Sequence, residues 1–262
     1  MKSSQPIGIF DSGVGGTSIW KEIHELMPQE HTVYLADSKY APYGNKKKED
    51  IIRLSIKNTE KLIAMGAKII VVACNTATTN AISILRANYD IPFVGIEPAI
   101  KPAALQTKTR RIGILATRGT LSSALFSQTS ETFAKDIEVV EVIGEGLVPL
   151  IENGKLESDE LHNLLTKYVN PMIEAEIDYL VLGCSHYPYL IPKLKELIPQ
   201  NVTIIDSGAA VARQTKYLLE KHNLLREDQA NPKLEFYSNS ETTTLKALLK
   251  EYDDISVQSL EF

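Results

Sequence analysis

The chain has 262 residues, 44% of them hydrophobic and 23% charged, with a formal net charge of −5. This length corresponds to one large or two medium domains, enough to bury a site away from water. The longest apolar runs, such as Ile69–Cys74, fall well short of the ~20 residues of a membrane span, and the start MKSSQPIGIF lacks a secretory signal. A negative net charge argues against nucleic-acid binding, and two cysteines suggest free thiols. We therefore expect a cytoplasmic globular protein with neither nucleic-acid nor membrane partners.

The first part of the chain alternates strands and helices. A helix is predicted after Thr17, which we expect to cap it, and another near Glu49–Met65, followed by a C-cap at Gly66. A third helix is predicted after Cys74. Short apolar or β-branched runs predict strands at Ile7–Phe10, Val33–Ala36, Ile69–Ala73 and Ile91–Ile96.

The second part repeats this scheme. A helix is predicted at Glu157–Ala175, with others after Cys184 and after Asp206–Gly208. Strands are predicted at Arg111–Ala116, Ile137–Val142, Tyr179–Gly183 and Val202–Ile205. Strands separated by helices form βαβ units with right-handed crossovers, and therefore mostly parallel sheets.

Two pairs of segments indicate an internal duplication. IIVVACNTATT and YLVLGCSHYPY both run from a strand through a cysteine into a helix, and IGIFDSG matches IGILATRG. Ligands bind at the carboxyl ends of strands in such sheets. We therefore predict an α/β protein of two similar, pseudo-symmetric three-layer domains, with the active site in the cleft between them.

The glycine-rich segment DSGVGG does not complete a dinucleotide fingerprint, because Ser18 stands where glycine or alanine is needed. Asp37, at the end of the next predicted strand, keeps a nicotinamide-dependent oxidoreductase as a weaker alternative. The histidines and cysteines show no metal-ligand spacing, so no metal site is expected.

Each cysteine ends a predicted buried strand and opens a helix, where the helix N-terminus stabilises a thiolate. A single buried cysteine is usually an inert small hydrophobic residue. Two thiols on opposite sides of a cleft, however, suit removal of a proton from one face of a carbon and return of one to the other face. Asp11 and His186 could relay protons, although each also fits a structural role as a helix cap or turn residue. A cysteine hydrolase using Cys184 and His186 would leave Cys74 without a role.

Six sequence blocks occur together in the order GIFDSGVGG, ADSKYAPYGNK, VVACNTATT, GIEPAIKPA, VPLIENG and LGCSHYP. With these blocks the chain resembles the glutamate racemases of the aspartate/glutamate racemase superfamily. The resemblance implies a cofactor-independent enzyme that interconverts L- and D-glutamate and supplies D-glutamate for peptidoglycan. Aspartate or another amino acid as substrate remains an alternative, as does a non-catalytic amino-acid-binding module.

The resemblance also implies roles for individual residues. Cys74 would be the base for D-glutamate, assisted by Asp11, and Cys184 the base for L-glutamate, assisted by His186. Glu152 resembles a further acidic residue of the family site. The implied substrate contacts are Asp11, Ser12, Tyr43, Gly44, Asn75, Thr76, Ser185 and His186, with Thr117 and Thr120 in addition. Ser185 departs from the threonine usual in the family, which we expect to affect packing modestly.

The domain plan implied by the resemblance places residues 1–97 and 207–262 in one domain and 98–206 in the other. A helix carrying Leu245, Leu248, Leu249 and Tyr252 is expected to pack back on the first domain. Family members vary between dimers and monomers, so a homodimer is one assembly to be expected beside the small-molecule substrate.

Overall fold

A computed structural model describes residues 1–228 and 230–262 and contains two sheets whose strands are all parallel. The six-stranded sheet has the order β10 (Ile255–Ser259), β9 (Leu234–Ser238), β2 (Thr32–Ala36), β1 (Ile7–Asp11), β3 (Ile69–Val72) and β4 (Phe93–Gly95). The four-stranded sheet has the order β6 (Glu138–Ile143), β5 (Arg111–Ala116), β7 (Tyr179–Gly183) and β8 (Thr203–Ile205). The predicted fold class, two α/β domains with parallel sheets, is confirmed.

Helices connect the strands as βαβ crossovers require. They are α1 (Thr17–Leu26), α2 (Lys48–Ala64), α3 (Asn75–Asn88), α4 (Ile100–Gln106), α5 (Arg118–Leu121), α6 (Ala124–Phe133), α7 (Leu147–Glu152), α8 (Asp159–Glu174), α9 (Ile191–Leu197), α10 (Gly208–Lys221) and α11 (Thr243–Leu248). Short 3-10 turns lie at Ser38–Tyr40, Tyr43–Asn45 and Tyr187–Leu190. Within the described residues, no helix combines the length and apolar character needed to cross a membrane.

The central strands agree closely with the sequence because continuous β-branched runs mark strands buried on both faces. Strand β1 lies between β2 and β3, with Ile7 opposite Thr32 on one side and Ile69 on the other. Gly66 follows α2 with φ +85°, a conformation that glycine adopts without steric cost. The predicted cap at Thr17 is wrong: Gly16 precedes α1, and the Thr17 hydroxyl donates to the Val14 carbonyl.

Two strands near the carboxyl terminus were not predicted. β9 pairs with β2 and β10 pairs with β9, which extends the six-stranded sheet. The first three residues of each segment, Leu-Glu-Phe and Ile-Ser-Val, alternate apolar and polar, which is a short match to the pattern of a half-buried strand. The helix expected to carry Leu245, Leu248, Leu249 and Tyr252 ends at Leu248 in the structure. Leu249 lies beyond its end but is still fully buried.

The first sheet takes its strands from residues 7–95 and 234–259, and the second from 111–205. The residue boundaries expected for the two domains stay a prediction. Val14 and Ile19 belong to the same buried hydrophobic cluster as Leu147 and Tyr187, so the two halves share a packed interface. The chain passes from the first half to the second after β4 and returns after β8. The Ser207 hydroxyl donates to the Glu97 carbonyl and so joins these two connecting segments.

Candidate active site

A small cavity lies where the carboxyl ends of strands from both sheets meet. The space between its walls, part of which is open to solvent, is about 240 Å³, and only about 10 Å³ of it admits the centre of a water molecule. It is lined by Ser12, Pro42, Tyr43, Gly44, Cys74, Asn75, Thr76, Thr117, Val148, Cys184, Ser185 and His186. The structure thus brings both cysteines and most of the expected substrate contacts to one place. Asp11 and Thr120 lie directly behind this lining, bonded to Ser185 and Thr76.

Cys74 occupies the N-cap position of the 14-residue helix α3. The Ala77 backbone N–H donates to its sulfur at 3.4 Å. Burial raises the pKa of the Cys74 thiol well above its ordinary value, and the nearby Asp11 carboxylate raises it further. Cys74 therefore rests as a protonated thiol, a proton donor at the edge of the cavity.

Cys184 follows β7 and lies on the opposite half of the molecule. Its sulfur is 3.8 Å from Nδ1 of His186, and both side chains are buried. Burial lowers the pKa of His186, but hydrogen bonds to Cys184 and Glu152 and the Asp11 carboxylate outweigh it, so this pKa lies well above its ordinary value. An imidazolium beside a cysteine stabilises the thiolate, which is the form that abstracts protons.

Glu152, the last residue of α7, lies behind His186 as seen from the cavity. Its Oε1 atom is 2.5 Å from His186 Nε2 and accepts a 2.7 Å bond from the Val14 N–H. Its other oxygen accepts a bond from the Ser38 hydroxyl at 2.9 Å. Glu152 is thus placed to orient the imidazole and to favour its protonated form. Glu152 is not among the described residues that line the cavity.

Asp11 is fully buried at the end of β1. It accepts bonds from the Gly16 N–H at 2.9 Å and from the Ser185 hydroxyl at 3.1 Å. Its Oδ2 atom is 3.9 Å from His186 Nδ1. Burial raises the pKa of Asp11, while the neighbouring His186 lowers it. Asp11 therefore contacts the Cys184 half of the site as well as influencing Cys74, the thiol to which the family resemblance assigns it.

The glycines of DSGVGG permit this close approach of the two halves. A Cβ atom on Gly15 would lie 2.2 Å from His186 Nδ1, and one on Gly13 would lie 1.9 Å from Glu152 Oε1. Both distances are far below van der Waals contact. These glycines therefore make room for acid–base side chains from the other half, and a bound dinucleotide is not needed to explain them.

Asp37, which kept a nicotinamide cofactor as an alternative, is committed to other contacts. It is fully buried and accepts hydrogen bonds from the Tyr43 hydroxyl, Asn58, Asn239 and the Lys57 ammonium. Both of its oxygens are thus occupied, which does not favour ribose binding. The Asp37 contacts instead fix the ring of Tyr43, whose 3-10 turn lines the cavity.

Polar groups with spare hydrogen-bonding capacity face the same space. The side-chain amide of Asn75 is buried, and neither its Nδ2 nor its Oδ1 has a partner among the described residues. The hydroxyls of Thr76 and Thr117 line the cavity 2.8 Å apart, and the Thr120 hydroxyl behind them lies 3.3 Å from Thr76 and 3.0 Å from Thr117. A buried amide left unsatisfied is costly, which indicates that a polar ligand completes it.

Sequence reasoning missed several residues that shape the site. Val148 and Pro42 line the cavity, and Ser38 bonds to Glu152. Val148 and Ser38 lie inside sequence blocks that carry the family resemblance, but apolar lining and second-layer contacts leave no signal in a single sequence. Within the described residues, no group of three or more His, Cys, Asp or Glu side chains could hold a metal ion.

Two parallel-sheet α/β halves with one buried cysteine from each half at a shared cavity define a class of two-domain protein with paired thiols. Residues 7–215 match the model of the Asp/Glu/hydantoin racemase family. A glutamate racemase from Ectopseudomonas mendocina is 45% identical over 95% of this chain and 94% of that protein. The chain therefore belongs to the Asp/Glu/hydantoin racemase family, as the sequence blocks predicted.

Solved structures agree. The glutamate racemase isoform RacE1 from Bacillus anthracis has a TM-score of 0.87 at 28% identity, covering 99% of this chain and 98% of that one. The Escherichia coli glutamate racemase, solved with L-glutamate and the activator UDP-MurNAc-ala, has a TM-score of 0.85 at 33% identity, with 98% of each chain covered.

Proposed function

We propose that the protein interconverts L- and D-glutamate with two thiols: one, as a thiolate, removes the proton from Cα, and the other donates a different proton to the opposite face. The observation that carries this proposal is the placement of Cys74 and Cys184, which follow strands of different sheets and line one cavity. A single base would have to swing around the substrate to reach both faces of Cα. With two acid–base groups on opposite sides, one removes a proton and the other donates one while the substrate stays in place.

In the direction from L- to D-glutamate, the Cys184 thiolate removes the α-proton and becomes a thiol. The electron pair left on Cα then takes a proton from the Cys74 thiol on the opposite face, and Cys74 becomes the thiolate. Protons and charge balance, and the enzyme is left in the state that accepts D-glutamate. His186 supports the first thiolate, because its raised pKa keeps the imidazole protonated at neutral pH.

Substrate binding would use the spare polar groups of the cavity. The amide of Asn75 and the hydroxyls of Ser12, Thr76 and Thr117 supply donors for two carboxylates, with Thr120 behind Thr76. Asp11, held by the Ser185 hydroxyl, supplies a negative charge for the ammonium group. Tyr43 and Gly44 close the cavity on the side of the 3-10 turn. Holding the α-carboxylate with preorganised donors also stabilises the carbanion formed at Cα.

The test uses purified protein in deuterated buffer without added cofactor, with L-glutamate and L-aspartate in separate samples. Proton NMR follows loss of the α-proton signal, and circular dichroism follows loss of optical activity. We expect both signals to decay for glutamate. Decay for aspartate alone would retain the mechanism and change the substrate. Binding without exchange of the α-proton would contradict racemisation and leave a binding module.

The family relation supports three finer proposals. The product D-glutamate would serve peptidoglycan synthesis, the protein would act in the cytoplasm, and a homodimer is one of the assemblies open to it. Light scattering on the purified protein tests the last of these, since a dimer doubles the 29.1 kDa mass of one chain.

A further inference from the structure

Helix α1 contacts the segment that carries Cys184 and His186. The Ser18 hydroxyl donates a 2.7 Å hydrogen bond to the Ser185 carbonyl. The Thr17 hydroxyl lies 2.5 Å from the hydroxyl of Tyr189. Thr17, Ser18 and Tyr189 do not appear among the described residues that line the cavity. These contacts therefore join the two halves of the molecule from behind the site.

The contact between Thr17 and Tyr189 has a defined direction. Thr17 gives its single hydroxyl proton to the Val14 carbonyl at 2.6 Å. Tyr189 must then be the donor to Thr17. Burial raises the pKa of Tyr189, so its hydroxyl keeps this proton at neutral pH.

The same contacts form a closed chain with the acid–base group. The Val14 N–H donates to Glu152, and Glu152 bonds to His186, which lies three residues before Tyr189. The segment 185–189 is thus attached to the start of α1 at its Ser185, His186 and Tyr189 positions. The His186 attachment runs through Glu152, whereas the other two are direct.

We propose that Thr17, Ser18 and Tyr189 are positioning residues that hold Cys184 and His186 in the geometry for proton transfer. This inference rests on the racemisation proposed above. The backbone after Cys184 forms only a 3-10 turn at Tyr187–Leu190, whose hydrogen bonding is poorer than that of an α-helix. External contacts are therefore needed to fix it.

Cys74 does not have this requirement. It caps the 14-residue helix α3, whose own backbone bonds fix its position. Removing the Ser18 hydroxyl frees the peptide group of Ser185, which lies directly between Cys184 and His186. Loss of these contacts should accordingly disturb proton transfer at Cys184 and leave transfer at Cys74 intact.

The test measures Ser18→Ala and Tyr189→Phe, each a removal of one hydroxyl. A misplacement of about 1 Å can cost up to about 100-fold in rate, so we expect kcat to fall roughly 10-fold for Ser18→Ala with little change in KM. Because the two enantiomers have equal free energies, kcat/KM must fall equally in both directions. The isotope effect is therefore the informative readout.

The α-deuterium isotope effect on kcat/KM is measured with each deuterated enantiomer. Slower transfer at Cys184 raises the isotope effect for L-glutamate, whose α-proton that thiol removes, and lowers it for D-glutamate. A variant that merely destabilised the fold would change neither isotope effect. Thr17→Val should act in the same direction; if it fails to fold, Tyr189→Phe still tests this contact.

Matched controls are Ser55→Ala and Thr215→Val, which remove buried hydroxyls that donate to the carbonyls of their own helices. We expect both controls to keep the rates and isotope effects of the unmodified protein. Variants at Ser18 and Tyr189 that match these controls would overturn the positioning role. Unmodified protein without exchange at Cα would instead overturn the proposed racemisation, so the two failures are distinguishable.

Discussion

The surroundings of Cys74 and Cys184 differ more than the internal duplication predicts. Cys74 caps a long α-helix and accepts a bond from the Ala77 N–H. Cys184 precedes a 3-10 turn, and its sulfur contacts the imidazole of His186. Duplication thus places two thiols at equivalent strand ends, but the local sequences differ. Cys74 is held as a protonated thiol, whereas Cys184 has the cationic His186 as its neighbour.

The difference follows from the residues after each cysteine. NTATTNAISIL continues as an uninterrupted helix, whereas SHYPYLIPK contains Pro188 and Pro192. Pro188 lacks an N–H and cannot continue a helix begun at Cys184, so regular α-helix begins later, at Ile191; Pro192 lies in the first turn of that helix, where proline is tolerated. The resulting turn leaves His186 folded back against the sulfur of Cys184.

Removing either thiol should have the largest effect. We expect Cys184→Ala and Cys74→Ala each to abolish racemisation, a loss of at least about 1000-fold, because each variant removes the acid–base group from one face of Cα. The two variants should nevertheless differ in deuterated buffer. Cys184→Ala should exchange the α-proton of D-glutamate alone, through Cys74, without inversion.

Circular dichroism of each cysteine variant provides the control for folding, since a thiol-to-methyl change leaves the strand and helix intact. Racemisation of glutamate by Cys74→Ala at an ordinary rate would contradict the two-thiol mechanism. Exchange of both enantiomers by one variant would mean that a single thiol reaches both faces.

Replacing His186 should affect the Cys184 half alone. We expect His186→Asn to lower kcat by roughly 100-fold, the lower end of the usual contribution of an acid–base group. The variant lacks the imidazole whose raised pKa sets the alkaline loss of activity, so that part of the pH–rate profile should disappear. A pH–rate profile unchanged in shape would show that His186 does not support the thiolate.

Removing the charge of Glu152 should have an intermediate effect. The hydrogen bond to Glu152 helps to raise the pKa of His186, so Glu152→Gln should lower this pKa and shift the alkaline loss of activity to lower pH. A pH–rate profile measures the shift. If the alkaline loss of activity occurs at the same pH in Glu152→Gln as in the unmodified protein, the role of Glu152 is contradicted.

The stability of the folded protein should follow the same ionisation. Folded His186 has a raised pKa, so its protonation stabilises the fold fully below the unfolded-state value of about 6.5. That contribution is lost as pH rises through the folded pKa. Urea unfolding between neutral and alkaline pH should therefore show a smaller decline for Glu152→Gln, whose folded pKa lies nearer the unfolded value.

Much of the fold could be predicted because buried parallel strands are continuous apolar runs. Arg111–Ala116 and Tyr179–Gly183 have the predicted bounds, whereas half-buried β9 and β10, with their short alternating pattern, were missed. The candidate site was predictable where one short segment carries the signal, as at each cysteine, which follows a predicted strand and precedes a predicted helix. The contact between Ser18 and Ser185 joins distant segments, so only the tertiary structure could reveal it.

The smallest expected effect concerns Ser185, where the family usually has threonine. The serine hydroxyl bonds to Asp11 at 3.1 Å, and threonine would keep that bond. The added methyl group enters a site that is only 2% exposed, where overpacking typically costs about 1–3 kcal/mol. Ser185→Thr should therefore lower stability to urea while changing kcat by less than about 3-fold, since the acid–base groups are untouched. A larger fall in kcat would mean that the backbone at Ser185 cannot shift without disturbing Cys184, which would strengthen the case that contacts from α1 hold this half of the site.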